Sequence, residues 1–152
     1  MPISPELFIE IESCDYLFLC EINEPEDNSL RLVVEEAVAA QETTSKRIGD
    51  AIIKDLHRIE STNASRSFEL TWDEYVAYLV TNESYALSGD SEQTISGRFV
   101  QVYARSHFLN HVSRTTFANA EYPGPLQHIC IICENHVIDV VSWIWPKLRR
   151  LR

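Results

Sequence analysis

Apolar positions recurring every second residue set the pattern of this chain. The run YLFLCEI, residues 16–22, has strand length and follows the turn-like Ser13-Cys14-Asp15. The segment NEPEDNS, residues 23–29, supplies Pro, Asp and Asn and reads as a turn. Leu30, Leu32 and Val34 then alternate with Arg31, Val33 and Glu35, which predicts a second strand over 30–40 and an antiparallel hairpin with the first. Residues 41–50, QETTSKRIGD, read as a polar segment ending in a turn. Residues 51–61 carry helical spacing in Ile52, Ile53, Leu56 and Ile59 but also β-branching, and both elements stay open. SFELTW, residues 67–72, alternates as a strand with Phe68, Leu70 and Trp72 on one face.

Over 72–82 two signals compete. Thr71 to Glu74 matches a capping box, and Trp72, Tyr75, Val76, Leu79 and Val80 lie at helical spacing. Tyr75 to Thr81 is nevertheless rich in β-formers, and a bent or bulged strand is preferred. A polar loop, 86–97, leads to the strand RFVQVYA at 98–104. Ser106 is placed to cap a helix running to about Ala118, with Phe108, Leu109, Val112 and Phe117 on its apolar stripe. YPGP, 122–125, ends it, and two strands follow at 126–133 and 136–142. The expected class is α+β: a mainly antiparallel β-sheet, one or two helices packed on one face, and a C-terminal β-hairpin.

Length and composition narrow the picture. With 152 residues and 45% apolar positions, the chain is read as one globular domain, 1–146, followed by a short basic tail, 147–152. The net charge is −10, and leaving out the four cations Lys147, Arg149, Arg150 and Arg152 gives 9 basic against 23 acidic residues, or −14. Such a body repels phosphates, so nucleic acid is excluded as a partner; a basic protein is the partner the charge would favour. No stretch approaches the ~20 apolar residues of a membrane span. The N-terminus lacks a basic region and an apolar run of signal length, so a cytoplasmic location with four reduced cysteines is expected. Asn63 and Asn82 head glycosylation sequons that carry no weight there.

QHICIICENH, 127–136, holds the chain's one compact group of soft ligands: His128, Cys130, Cys133 and His136. A zinc knuckle needs its C-x-x-C on a tight turn, whereas Ile131 and Ile132 favour extended backbone. In a strand the two thiols point to opposite faces. A redox C-x-x-C needs a following helix, and ENHVIDVVS reads as a turn and a strand. The stretch is therefore read as a buried strand entering a hairpin, with no metal and no cofactor. With Glu134-Asn135 as the loop, Cys133 faces His136, and Asp139 shares a face with Cys130 and Ile132. An acid inside VIDVV must be at an edge, paired or functional, and pairing with an arginine is the default.

His107 and His111 stand one turn apart on the expected helix, without the Glu of an H-E-x-x-H zinc motif. Glu83 ends an apolar segment, where a carboxylate can serve as a base or a pocket acid. No nucleophile elbow, phosphate loop, kinase or dinucleotide signature occurs. The leading expectation is a non-catalytic binding protein of inhibitor, adaptor or immunity type. The first alternative is a small-molecule-binding domain or small enzyme with a pocket between sheet and helix; the second is a zinc protein. The candidate pocket or partner-binding residues are Glu83, Tyr103, Arg105, His107, His111, His136 and Asp139.

Overall fold

The computed structural model describes residues 3–87 and 92–152. Helix α1, Pro5–Glu12, opens the chain; Pro5 suits the first helical turn, whose N–H groups need no intrahelical acceptor. Strands β1, Tyr16–Asn23, β2, Leu30–Ile48, and β3, Ala51–Glu60, follow, then β4, Ser67–Trp72. Strand β5, Ala77–Asn82, leads into a single 3-10 turn, Glu83–Tyr85. The chain continues with β6, Glu92–Ser96, β7, Val100–Arg105, helix α2, His107–Thr115, β8, Gln127–Ile132, β9, His136–Ser142, and β10, Lys147–Arg150.

These strands make two antiparallel sheets. The first has the order β1-β2-β4-β10 with β3 added to the far half of β2; the second has the order β5-β9-β8-β7-β6. Leu17, Leu30, Leu32, Val34, Phe68, Leu70 and Trp72 from the first meet Val100, Val102, Ile129, Ile131, Ile138 and Val140 from the second in one buried core. Strict alternation places these residues on inner faces and leaves Gln101, Tyr103, His128, Cys130 and Asp139 on the outer face of the second sheet. The α+β class with mainly antiparallel sheets therefore holds.

Several elements differ from the pattern-based expectation. Residues 51–60 are strand, and β-branched Ile52, Ile53 and Ile59 prevail over the helical spacing. The polar segment 41–50 ends in the expected turn, with Gly49 at φ 61°, but up to Ile48 it is the continuation of β2. Tight hairpin turns require such left-handed backbone.

The basic C-terminus is an edge strand rather than a solvated tail, so the chain does not end on the β8–β9 hairpin. Its four cations each meet a carboxylate: Lys147 with Asp73 at 2.6 Å, Arg149 with Glu69 at 2.8 Å, Arg150 with Glu10 of α1 at 3.2 Å, and Arg152 with Glu35. Arg149 and Glu69 stand directly opposite in the β10–β4 ladder, and such a cross-strand pair favours the pairing.

Two polar latches join the layers. The Glu12 carboxylate accepts the backbone N–H groups of Phe99 and Val100 at 3.1 and 2.8 Å, tying α1 to the β6–β7 turn. Asn135, in the β8–β9 turn, donates to the carbonyl of Leu19 at 3.0 Å and accepts its N–H at 2.9 Å, as a strand residue would. The second latch holds that hairpin against β1 and fixes where its outer face lies.

Candidate functional site

A cleft of about 400 Å³ opens on the outer face of the second sheet. Its floor is Gln93, Gln101, Tyr103, His128, Cys130 and Asp139; Ser106, His107 and Phe108 form one wall, and Glu83, Ala86 and Leu87 form another. Pleating explains the floor. Tyr103 stands opposite His128, Gln101 opposite Cys130, and Cys130 opposite Asp139, so one face of β7, β8 and β9 presents all five.

The centre is a chain of hydrogen bonds between three elements. His128 is 4% exposed. Its Nε2 lies 2.7 Å from Asp139 Oδ1, and its Nδ1 lies 2.6 Å from Ser106 Oγ. A carboxylate only accepts, so Nε2 carries a proton; in the neutral imidazole Nδ1 then accepts the Ser106 hydroxyl hydrogen. The Ser106 oxygen in turn accepts the N–H of Leu109 at 2.9 Å as the cap of α2. The imidazole is clamped between Tyr103, stacked at 4.8 Å, and Phe108, edge-on at 5.5 Å. Both ring nitrogens are thus engaged and the ring cannot swing.

The surrounding groups are neutral or acidic. Burial, and then the Asp139 charge, pushes the Cys130 thiol far above its ordinary range, so it is no nucleophile at neutral pH. Burial likewise raises the Tyr103 hydroxyl above its usual value. Tyr103 donates to Gln101, Gln93 donates to Gln101 at 3.1 Å, and Gln101 donates to the carbonyl of Gly97 at 3.0 Å. Among the described residues no lysine or arginine lines the cleft.

Four of the seven candidate residues, Glu83, Tyr103, His107 and Asp139, line this cleft. The other three do not. Arg105 is exposed and lies 3.5 Å from Glu92; His111 is exposed further along α2. His136 heads β9, with a buried Nδ1 that has no hydrogen-bond partner.

The partner of Asp139 is His128, not an arginine. Ser106 was legible as a cap but not as a partner of His128, because 22 residues separate them in sequence. The signal that was available is parity: His128, Cys130 and Asp139 share a face as soon as the hairpin register is set. Cys133, pushed up to about 12 by burial, lies in the core on the opposite face from Cys130. Among the described residues, no three His, Cys, Asp or Glu side chains gather closely enough to hold a metal ion.

Comparisons with family models, with curated proteins and with solved structures each find no match.

Proposed function

We propose that this chain is a small-molecule-binding domain whose ligand sits in the cleft between the second sheet and α2. The observation that carries this reading is the convergence of Ser106, His128 and Asp139 from three elements onto one cleft of about 400 Å³. Ligand pockets of this size combine an apolar lining with a few converging polar groups. Asp139 and Glu83 offer acceptors, the Tyr103 and Gln101 row offers both donors and acceptors, and no lysine or arginine stands among the described lining residues. That balance suits a neutral or cationic hydrogen-bonding ligand, such as a polyol or a small amine, over a phosphate or carboxylate. NMR titration of the 15N-labelled chain with a panel of polyols, amines and amino acids tests this. Shifts confined to β7, β8, β9 and the start of α2, lost in Tyr103→Ala, support it; a panel-wide absence of such shifts ends it.

One observation favours a second reading, acyl transfer. The order Ser106–His128–Asp139 is that of a nucleophile, its base and the group that orients the base. Ser106 Oγ would attack the acyl carbon of an ester while its proton passes to His128 Nδ1. That proton then leaves on the alcohol, and water releases the acyl group by the same route. First-turn N–H groups of a helix lack intrahelical acceptors, so those of His107 and Phe108 are suited to the oxyanion. Mass spectrometry after treatment with a fluorophosphonate decides between the two readings. Labelling of Ser106 that is lost in His128→Ala supports acyl transfer; an unlabelled wild-type chain leaves a binding cleft.

A further inference from the structure

Asp139 differs from every other carboxylate that is at least partly buried among the described residues. Glu10, Glu35, Glu36 and Glu69 each meet an arginine. Glu12 accepts the backbone N–H groups of Arg98, Phe99 and Val100. Asp139 has neither answer. Its Oδ1 takes the His128 N–H at 2.7 Å, and the Cys130 thiol lies beside it. A neutral imidazole donates a hydrogen bond but brings no positive charge. The Asp139 charge therefore stands on the cleft floor without a counter-charge. Its reach is visible in Cys130, which burial first and then this carboxylate push upward. Buried charges are paired as a rule, and the one open side of Asp139 is the cleft.

The lining narrows what that counter-charge can be. Glu83 adds a second negative charge from the wall after β5. A hard metal ion wants about six or more oxygen ligands. Among the described residues no three His, Cys, Asp or Glu side chains gather closely enough to supply even half of them. An alkyl ammonium has at most three N–H donors to satisfy, and its carbon chain suits apolar walls. Phe108, Ile132 and Val137 provide such walls. The pairing register adds a length. Asp139 stands opposite Cys130 and Cys130 opposite Gln101, so Gln101 lies two strand spacings, about 10 Å, from Asp139. Gln101 belongs to an uncharged row with Gln93 and Tyr103. One side of the floor is therefore anionic and the other is neutral and polar.

We propose that the ligand of this cleft is an organic amine, its ammonium on Asp139 with Glu83 adding charge from the rim, and its uncharged polar end toward Gln101. This inference rests on the small-molecule-binding reading and names the ligand class for it. Aminobutanol, butanediol and hydroxybutyrate, each substituted at both ends, are alike in length and differ in charge. NMR titration of the 15N-labelled chain at pH 8 with each of the three reads the preference. Aminobutanol should shift the amides of β7, β8 and β9 with a dissociation constant about tenfold below that of butanediol, the gain of a charged over a neutral hydrogen bond. Hydroxybutyrate should bind weakest. Asp139→Asn keeps an acceptor for His128; it should bring aminobutanol to the butanediol level and leave butanediol unchanged. Glu83→Gln, at an exposed position that does not threaten the fold, should reduce the preference by up to about fivefold, as a rim charge does. Equal constants for aminobutanol and butanediol, or a preference that survives either substitution in full, overturn the amine and leave a cleft for neutral ligands. Cleft shifts from none of the three also overturn it, while the wider panel of polyols, amines and amino acids decides separately whether the cleft binds anything.

Discussion

His128 and Asp139 are diagonal neighbours in the β8–β9 ladder: His128 stands opposite Val141, Asp139 opposite Cys130, and the imidazole reaches across to the carboxylate at 2.7 Å. Diagonal pairs are within reach of long side chains. The consequence is that a buried histidine and a partly buried acid satisfy each other on a face that also lines the cleft.

Asp139→Ala should therefore destabilise the chain. It leaves the His128 N–H unpaired and buried, at a cost of about 1–3 kcal/mol. Asp139→Asn keeps an acceptor oxygen in place and should cost markedly less. Urea midpoints of the two variants check this ordering; equal midpoints would mean that the hydrogen bond contributes nothing.

Stability should decline in acid through two arginine-paired carboxylates, the partly buried Glu36 and the buried Glu69. Hydrogen bonds from Arg66 hold Glu36 below the usual carboxylate value of 4.5. Glu69 feels burial, which pushes its carboxyl up, but Arg31 and Arg149 outweigh it and the result is a lowered value. Because both folded values are depressed, the stabilisation is fully present above the unfolded value of about 4.5 and is lost as the pH falls through the folded values. Urea midpoints taken from pH 7 down to pH 3 should drop in that window. The drop should be shallower in the double variant Glu36→Gln, Glu69→Gln.

Gly97→Ala should cost about 1–3 kcal/mol by crowding. A Cβ there would lie 2.4 Å from both Glu12 Oε1 and the Val100 carbonyl, and the second of these is backbone that cannot step aside. Displacing the Glu12 carboxylate would also release the N–H groups of Phe99 and Val100. Thermal unfolding of the variant, compared with that of the exposed control Gly49→Asn, measures the difference. A smaller loss at 97 than at 49 would contradict the crowding.

The thiols should separate by burial. Cys14, Cys130 and Cys133 are buried and Cys20 is exposed, so Cys20 should react first with a thiol-specific disulfide reagent at pH 8. Its reaction should still be slow for an exposed thiol, because partial burial and the Glu35 hydrogen bond push it up to about 11. Denaturation should release the other three. Prompt titration of more than one thiol in the folded chain would contradict the buried positions of Cys14, Cys130 and Cys133.

Local patterns carried a good part of this. Period-two alternation located β4, β7, β8 and β9 to within two residues, and Ser106 marked the start of α2. Extended backbone at Ile131-Ile132 put Cys130 and Cys133 on opposite faces, and Cys133 is in the core while Cys130 faces the cleft. Where two periodicities overlapped, as over 51–61, the pattern could not choose. Helix α1 left only Pro5 at its start as a signal, because eight residues with one buried side chain make too short a stripe.

The sequence by itself determined the elements whose cause is local: alternation, capping and turn chemistry act over a few residues. Tertiary structure alone decided what the basic C-terminus does, because Lys147–Arg150 become a strand by pairing with β4, where Arg149 meets Glu69. It alone decided which histidine matters. His128 and His136 look equivalent in QHICIICENH; one stands opposite Tyr103 within reach of Asp139 and Ser106, while the other begins β9 opposite Asn82. Register and sheet order join residues far apart in the chain, and no local preference encodes them.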